Sequence, residues 1–316
     1  MEHVACPLCG ADKSVFLFRR KDLSYSATGD AFTVVRCPAC GLAYVDPRPT
    51  LEEIGRYYPP VFYRSTLTRE DLLRDQHKQL LLKLRHMPLA PPGRLLDIGC
   101  SRGEFLHVMA GLGWEVQGVE FSENAHTPFA VPIFRGTLEA AEFAPASFDC
   151  VTLWAVLEHI HAPLPLLRRA WALLKPGGHI VLAVTNMRSL PGRFMRLDDV
   201  PRHLILFHPP SLRRMLREAG FDAVRLRFDS ALFGGTHRGL LNFLVKRLAR
   251  EKTESILEAN RDVARWSEFS SMLRGRASRF MLAVDSLDIR LFPYVDAVAD
   301  ALGLGHSMLA AARKPA

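Results

Sequence analysis

Leu95-Leu96-Asp97-Ile98-Gly99-Cys100-Ser101-Arg102-Gly103 is the stretch on which the fold turns. An apolar run closes on an acid and a glycine turn follows. From Glu104 onward Phe105, Leu106, Val108 and Met109 recur at helical spacing. The pattern is a buried strand feeding a helix through a loop whose glycines let the backbone approach a ligand closely. Two phosphate-binding loops are excluded. G-x-G-x-x-G needs glycines at 99, 101 and 104, where the chain has Gly99, Ser101 and Glu104, and no G-K-[ST] follows. What remains, D-x-G-x-x-x-G, suits a ligand carrying an amino acid and a ribose but no phosphate.

The flanking segments agree with this reading. Trp114 to Glu120 is a second strand, and it ends in an acid. A carboxylate there can accept both hydroxyls of a ribose, in charge-assisted bonds worth roughly 1.5–3 kcal/mol each. Phe148 to Trp154 is a further buried strand, followed by Ala155-Val156-Leu157-Glu158-His159. Leu173 to Val184 reads as a helix end, a Pro-Gly-Gly turn at Pro176–Gly178 and another strand. Pro210 to Gly220 reads as a helix, Phe221 to Phe228 as a strand, and His306 to Ala312 as the final strand.

In this order and spacing the segments resemble the class I S-adenosylmethionine-dependent methyltransferases, over roughly residues 70–230 and the last strand. The resemblance implies an α/β fold, a doubly wound Rossmann-like sheet. It also implies S-adenosyl-L-methionine held by Asp97, Gly99, Cys100, Ser101, Gly103, Glu120, Phe121, Thr137, Leu138 and Trp154. Two positions depart from the family pattern. Ser101 replaces the usual second glycine, and Gly136-Thr137-Leu138-Glu139 places threonine where an acid usually meets the adenine amino group.

The cysteines divide into two kinds. Cys6-Pro7-Leu8-Cys9-Gly10 and Cys37-Pro38-Ala39-Cys40-Gly41 are matched C-x-x-C-G knuckles, and the strand pattern Phe32-Thr33-Val34-Val35 leads into the second. Four thiolates from two such turns make a tetrahedral site suited to Zn2+, and with no open position its role is structural. Cys100 and Cys150 fall in core elements. The chain therefore reads as a zinc ribbon over 1–45, a linker with N-terminal helices over 46–90, and a methyltransferase domain over 91–231 and 304–316. A helical insertion over 232–303 fills the place of the short hairpin usual in the family. Within the linker, Thr50-Leu51-Glu52-Glu53 looks like a capping box, and Arg69 to Met87 an amphipathic helix. Tyr57, Tyr58 and Tyr63 read as contacts gluing the ribbon to the larger domain, with a substrate entrance as the alternative.

A chain of 316 residues, 48% hydrophobic and 23% charged, is a globular protein with a large core. No apolar run reaches the ~18–20 residues of a membrane span, and no signal peptide opens the chain, so the expected location is the cytoplasm. The net charge is +8, and nine arginines face four acids between Met187 and Arg227. That surplus points to an anionic substrate, a small or carrier-linked metabolite; solvated helix faces explain it equally well. Around 238–250, Leu241, Leu244, Val245 and Leu248 share a face flanked by Arg238, Lys246, Arg247 and Arg250. Such a helix can meet the inner face of a membrane, cap the domain or join a dimer. Oligomeric state stays open.

Methyl transfer needs a positioned acceptor and a base for its proton. Glu158, His159 and His161 qualify by position after the fourth strand, as do His203 and His208. The segment His203-x3-Phe207 followed by a helix and Ala219-Gly220-Phe221 resembles ubiquinone-type O-methyltransferases, which puts His203 first, then His159 and Glu158. An E-x-x-E-H metal motif, as in small-RNA 2′-O-methyltransferases, is incomplete because Ala155 stands in the first acid's place. The expected function is methylation, most simply of oxygen, on a biosynthetic metabolite. The alternative is an rRNA or tRNA methyltransferase using the ribbon to hold RNA, although the ribbon carries few basic residues. A third reading is a cofactor-binding partner that activates another methyltransferase.

Overall fold

Strands whose residues are almost all apolar must be covered on both faces, and here they form the parallel centre of a sheet. The computed structural model describes residues 1–22, 29–59, 68–88, 91–189, 192–193, 199–233, 240–248 and 276–316. Near the N-terminus lie β1 (Val15–Lys21), β2 (Ala31–Arg36) and β3 (Ala43–Val45). Then come α1 (Arg69–His86), β4 (Arg94–Ile98), α2 (Glu104–Gly111), β5 (Glu115–Glu120) and β6 (Ile133–Arg135). They are followed by β7 (Phe148–Trp154), α3 (Pro163–Leu173), β8 (Leu174–Thr185) and β9 (Ile205–Leu206). The chain continues through α4 (Pro209–Glu218), β10 (Asp222–Phe228), α5 (Leu240–Leu248), α6 (Arg276–Ala301) and β11 (Ser307–Arg313).

The large sheet has the order β10-β11-β8-β7-β4-β5-β6. The five strands from β8 to β6 pair in parallel, while β11 pairs antiparallel with both β8 and β10. Order reverses between β4 and β7, so a ligand crevice opens at the C-terminal ends of these two strands. Leu96, Val151 and Leu182 are fully buried in it, each contributing roughly 1.5–3 kcal/mol by leaving water.

The second sheet, β1-β2-β3-β9, takes its last strand from a segment that follows β8 in the chain: Ala43 pairs with Leu206 and Tyr44 with Ile205. One continuous cluster of buried side chains then runs from Phe32, Val34, Leu42 and Tyr44 into Leu157, Phe207 and Leu212. The cysteine-bearing region shares its core with the larger sheet.

Three local readings are refined. The Pro-Gly-Gly stretch is absorbed into β8, where the pairing shifts register between Phe148 and Cys150 and Gly177 sits at φ +76°. The box at Thr50 closes reciprocally, Thr50 N donating to Glu53 Oε2 at 3.0 Å and Glu53 N to Thr50 Oγ1 at 3.3 Å. It opens only a 3-10 turn, Ile54–Tyr57, because Pro59 and Pro60 bar a longer helix. The arginine surplus after β8 is dispersed. Arg202 is buried, Arg213, Arg214 and Arg217 lie on α4 and Arg225 and Arg227 on the edge strand β10. Arg188 and Arg193 follow β8 directly, and Arg196 lies outside the described residues.

In the insertion, α5 packs on α6, with Phe243 buried and Leu244 and Leu248 exposed. Tyr63, Arg238 and Arg250 lie outside the described residues. No described helix is long and apolar enough to cross a membrane.

Candidate active site

The glycine loop is built by its own sequence. Gly99 and Gly103 adopt φ +69° and +86°, and a Cβ on Gly99 would stand 2.5 Å from Val156 Cγ2. Ser101 takes φ +51° without being glycine, a conformation costing roughly 1–2 kcal/mol. Its N–H donates to Glu120 Oε2 at 2.8 Å, and Ser122 N donates to Glu120 Oε1 at the same distance. An ionised carboxylate has about four acceptor positions, so Glu120 can accept further donors beyond these backbone bonds. Burial raises its pKa above the ordinary value, while these backbone bonds pull it down.

Asp97 ends β4 almost fully buried, its Oδ1 accepting from Thr152 Oγ1 at 2.6 Å. Desolvation pushes its pKa up to about 7, against the opposing pull of Lys83 and the Thr152 bond. Cys100 and Leu138 are buried, and Trp154 packs edge-on against Phe105 with centroids 5.3 Å apart. Thr137 caps a turn through Ala140 N at 3.3 Å, while Phe121 is exposed.

The opposite wall gathers Glu158, His159 and His203. A 3-10 turn, Leu157–His159, follows β7 and buries Glu158 completely. Thr185 N donates to its Oε1 at 3.3 Å and its Oε2 has no partner among the described residues. Burial lifts this carboxyl to about 7. The His159 and His203 rings meet edge to face at 4.7 Å. Burial depresses His159 to about 4 and His203 to about 3, so both are neutral at neutral pH. His159 Nδ1 lies 3.1 Å from the Arg202 carbonyl and 2.9 Å from Tyr58 Oη. A carbonyl only accepts, so Nδ1 carries the proton and Nε2 keeps its lone pair. Donor atoms of Glu158, His159 and His203 lie within 4.8 Å of one another. A divalent cation could share them, but the methyl of Ala155 supplies no further oxygen.

Sequence position alone could not separate the five candidate bases. His161 and His208 turn out to be docking groups. His161 Nε2 donates to Pro49 O at 3.0 Å. His208 caps α4 by accepting from Ser211 N at 3.2 Å and donates from Nε2 to Gly41 O at 3.1 Å. Arg202, adjacent to His203, escaped the sequence reading. Its fully buried guanidinium bonds both oxygens of Asp22 at 2.8 and 3.0 Å, both oxygens of Asp199 at 2.6 and 2.8 Å, and Tyr57 O at 2.8 Å. Asp22 directly follows β1, 180 residues earlier in the chain, a separation with no sequence signal.

The two cysteine knuckles repeat one backbone design. Gly10 N donates to Cys6 O and Gly41 N to Cys37 O, both at 2.9 Å. Cys6 Sγ is 3.4 Å from Cys40 Sγ, Cys9 Sγ is 3.5 Å from Cys37 Sγ, and all four sulfurs lie within 4.8 Å. A tetrahedral ion with ~2.3 Å metal–sulfur bonds needs sulfur separations of ~3.8 Å. The cluster fits such an ion.

Comparison with known proteins covers the same elements. A methyltransferase-domain family model matches residues 67–226, half of the chain. The ubiquinone biosynthesis O-methyltransferase of Thiobacillus denitrificans is 29% identical over 168 residues, spanning 46% of this chain and 72% of that protein. Its counterpart in Cupriavidus pinatubonensis is 29% identical over 154 residues, 42% of this chain and 62% of that one. Phosphoethanolamine N-methyltransferase 2 of Haemonchus contortus, solved with S-adenosyl-L-methionine, superposes with a TM-score of 0.53 at 18% identity. That overlap covers 95% of this chain and 69% of that one, and it shows a shared fold. The match from α1 to β10 brackets the glycine loop and both histidines, and the chain belongs to the class I S-adenosylmethionine-dependent methyltransferases.

Proposed function

We propose that this methyltransferase acts on a hydroxyl of a small or carrier-linked biosynthetic metabolite, with His159 as the base. The observation that carries this reading is the tautomer of His159. Its Nδ1 proton is committed to the Arg202 carbonyl, which leaves a neutral Nε2 at the strand ends beside His203. S-adenosyl-L-methionine supplies an activated methyl on a sulfonium. With it bound, these residues would position the acceptor oxygen and take its proton as the carbon–oxygen bond forms and the methyl–sulfur bond breaks, the neutral thioether leaving. Asp97 would pair with the cofactor's cationic amino group and Glu120 with its ribose hydroxyls. His203 sets the His159 ring edge-on, and Tyr58 and Arg202 hold its Nδ1 side. The four cysteines hold one zinc ion that joins the knuckles, in a structural role, since four sulfurs leave no coordination position open. The similarity to ubiquinone-pathway O-methyltransferases supports oxygen as the acceptor atom.

The test uses methyl-labelled cofactor against total RNA, organic-soluble lipid and soluble metabolites from a cell extract. Label in the lipid or metabolite fraction is expected, and label confined to RNA overturns the substrate class. With the acceptor fraction found, His159→Ala is expected to lower turnover about 100-fold, the ordinary worth of a general base, with cofactor affinity unchanged. Turnover equal to that of the wild type would remove His159 from the reaction.

A further inference from the structure

S-adenosyl-L-methionine brings three charges into its pocket: a cationic sulfonium, a cationic ammonium and an anionic carboxylate. The pocket around the glycine loop is acidic, with Asp97 and Glu120 buried and Glu104 opening α2. Acids suit the cofactor's cations and ribose but repel its carboxylate, which needs a cation of its own. Two arginines near the loop are committed elsewhere. Arg102 Nε donates to His126 O at 2.8 Å, and Arg135 donates to Ser122 O at 3.3 Å and Ala125 O at 2.6 Å.

Lys83 differs. It comes from the last third of α1, and its Nζ stands 5.4 Å from the centre of the Trp154 ring and 5.6 Å from that of Phe105. Phe105 belongs to the helix that the glycine loop opens, and Trp154 ends the strand beside β4. Among the described residues Lys83 makes no hydrogen bond or ion pair, although Asp97 and Glu104 act on its charge from a distance. Desolvation outweighs those two acids and holds its pKa below the usual lysine value. A second feature is independent of the charge. The Trp154 side chain is 7% exposed, and its indole N–H is buried without an acceptor among the described residues. An orphaned buried donor costs roughly 1–3 kcal/mol unless something completes it.

We propose that Lys83 and Trp154 form the clamp for the cofactor's α-carboxylate, the ammonium pairing with the anion and the indole N–H donating to it. The anion completes both groups at once, and the pairing is a charge-assisted bond in a water-poor pocket. The clamp reads the amino-acid end of the cofactor and is independent of the acceptor. Lys83 thereby joins α1, a helix outside the glycine loop, to the cofactor site.

Calorimetric titration of the full chain with S-adenosyl-L-methionine and with its decarboxylated analogue tests this. The wild type is expected to prefer the carboxylated cofactor by at least tenfold. Lys83→Met is expected to lose at least tenfold in affinity for S-adenosyl-L-methionine and less than twofold for the analogue, so the preference collapses. Trp154→Phe, which keeps the ring and removes the N–H, is expected to lose three- to tenfold on the carboxylated cofactor alone. Equal losses on both ligands, or a wild type that does not distinguish them, would overturn the clamp. Should Lys83→Met fail to fold, Lys83→Arg and Trp154→Phe decide: the first must keep the preference and the second must reduce it.

Discussion

The two walls of the crevice are built in opposite ways. The proposed cofactor wall is local: Asp97, Gly99, Ser101 and Gly103 lie on one strand–loop–helix unit, and Glu120 ends the next strand, its carboxylate already bonded to the Ser101 N–H. The proposed acceptor wall is assembled from distant pieces. His159 follows β7, Tyr58 comes from the linker, and His203 follows an arginine that Asp22 holds across the second sheet. A local wall keeps its geometry through backbone turns. An assembled one depends on long-range packing and on a buried ion network. Mutations should therefore separate the two: cofactor binding should survive damage to the ribbon side, and the acceptor geometry should not.

The strongest way to break this contrast is Arg202→Met. The substitution leaves Asp22 buried without its partner, and breaking a buried pair from one side costs roughly 3–5 kcal/mol. Urea unfolding should show that loss, and turnover should fall further than cofactor affinity. Equal falls in both would mean that the walls are one unit. Glu120→Ala attacks the other side. Losing two charge-assisted ribose bonds of roughly 1.5–3 kcal/mol each predicts cofactor affinity lowered at least about 100-fold, read by calorimetry, while the ribbon stays folded. An unchanged affinity would remove the ribose assignment.

The smallest effect expected is that of pH on the cofactor wall. Asp97 is raised to about 7 by burial, and in the proposed role it attracts the cofactor's amino cation only when ionised. Affinity should then fall about tenfold as pH drops from 8 to 6, a change Asp97→Asn should flatten. Stability runs the other way. A carboxyl raised in the folded state favours folding fully below its unfolded pKa, and that contribution is lost as pH rises through 7. The free protein should therefore melt lower at pH 8 than at pH 6 on account of this group, and saturating cofactor should abolish the difference.

Much of the cofactor side was legible because its signals are short-range. The acid after an apolar run, the glycine turn and the second acid are each set by strand geometry and by φ values that favour glycine. Both cysteine knuckles were readable for the same reason. Ser101 shows where composition misleads: a residue outside the usual pattern still enters the left-handed region because Glu120 holds its N–H. On the acceptor side five titratable residues were equivalent on paper. Only their partners distinguished them, His161 and His208 each binding a carbonyl of the linker or a knuckle. Lys83 carried no signal at all, since one lysine on an amphipathic helix looks like any other.

By itself the amino-acid sequence determined the strand–loop–helix units, their order in the chain and the two matched turns that carry the cysteines, because hydrophobic period and turn chemistry act over a few residues. Tertiary structure alone decided that β9 completes the ribbon's sheet, that Arg202 locks Asp22 to the loop before His203, and that His159 turns its Nδ1 to the Arg202 carbonyl. These depend on which buried polar group finds which partner. That choice is made by packing between segments far apart in the chain, and no local pattern records it.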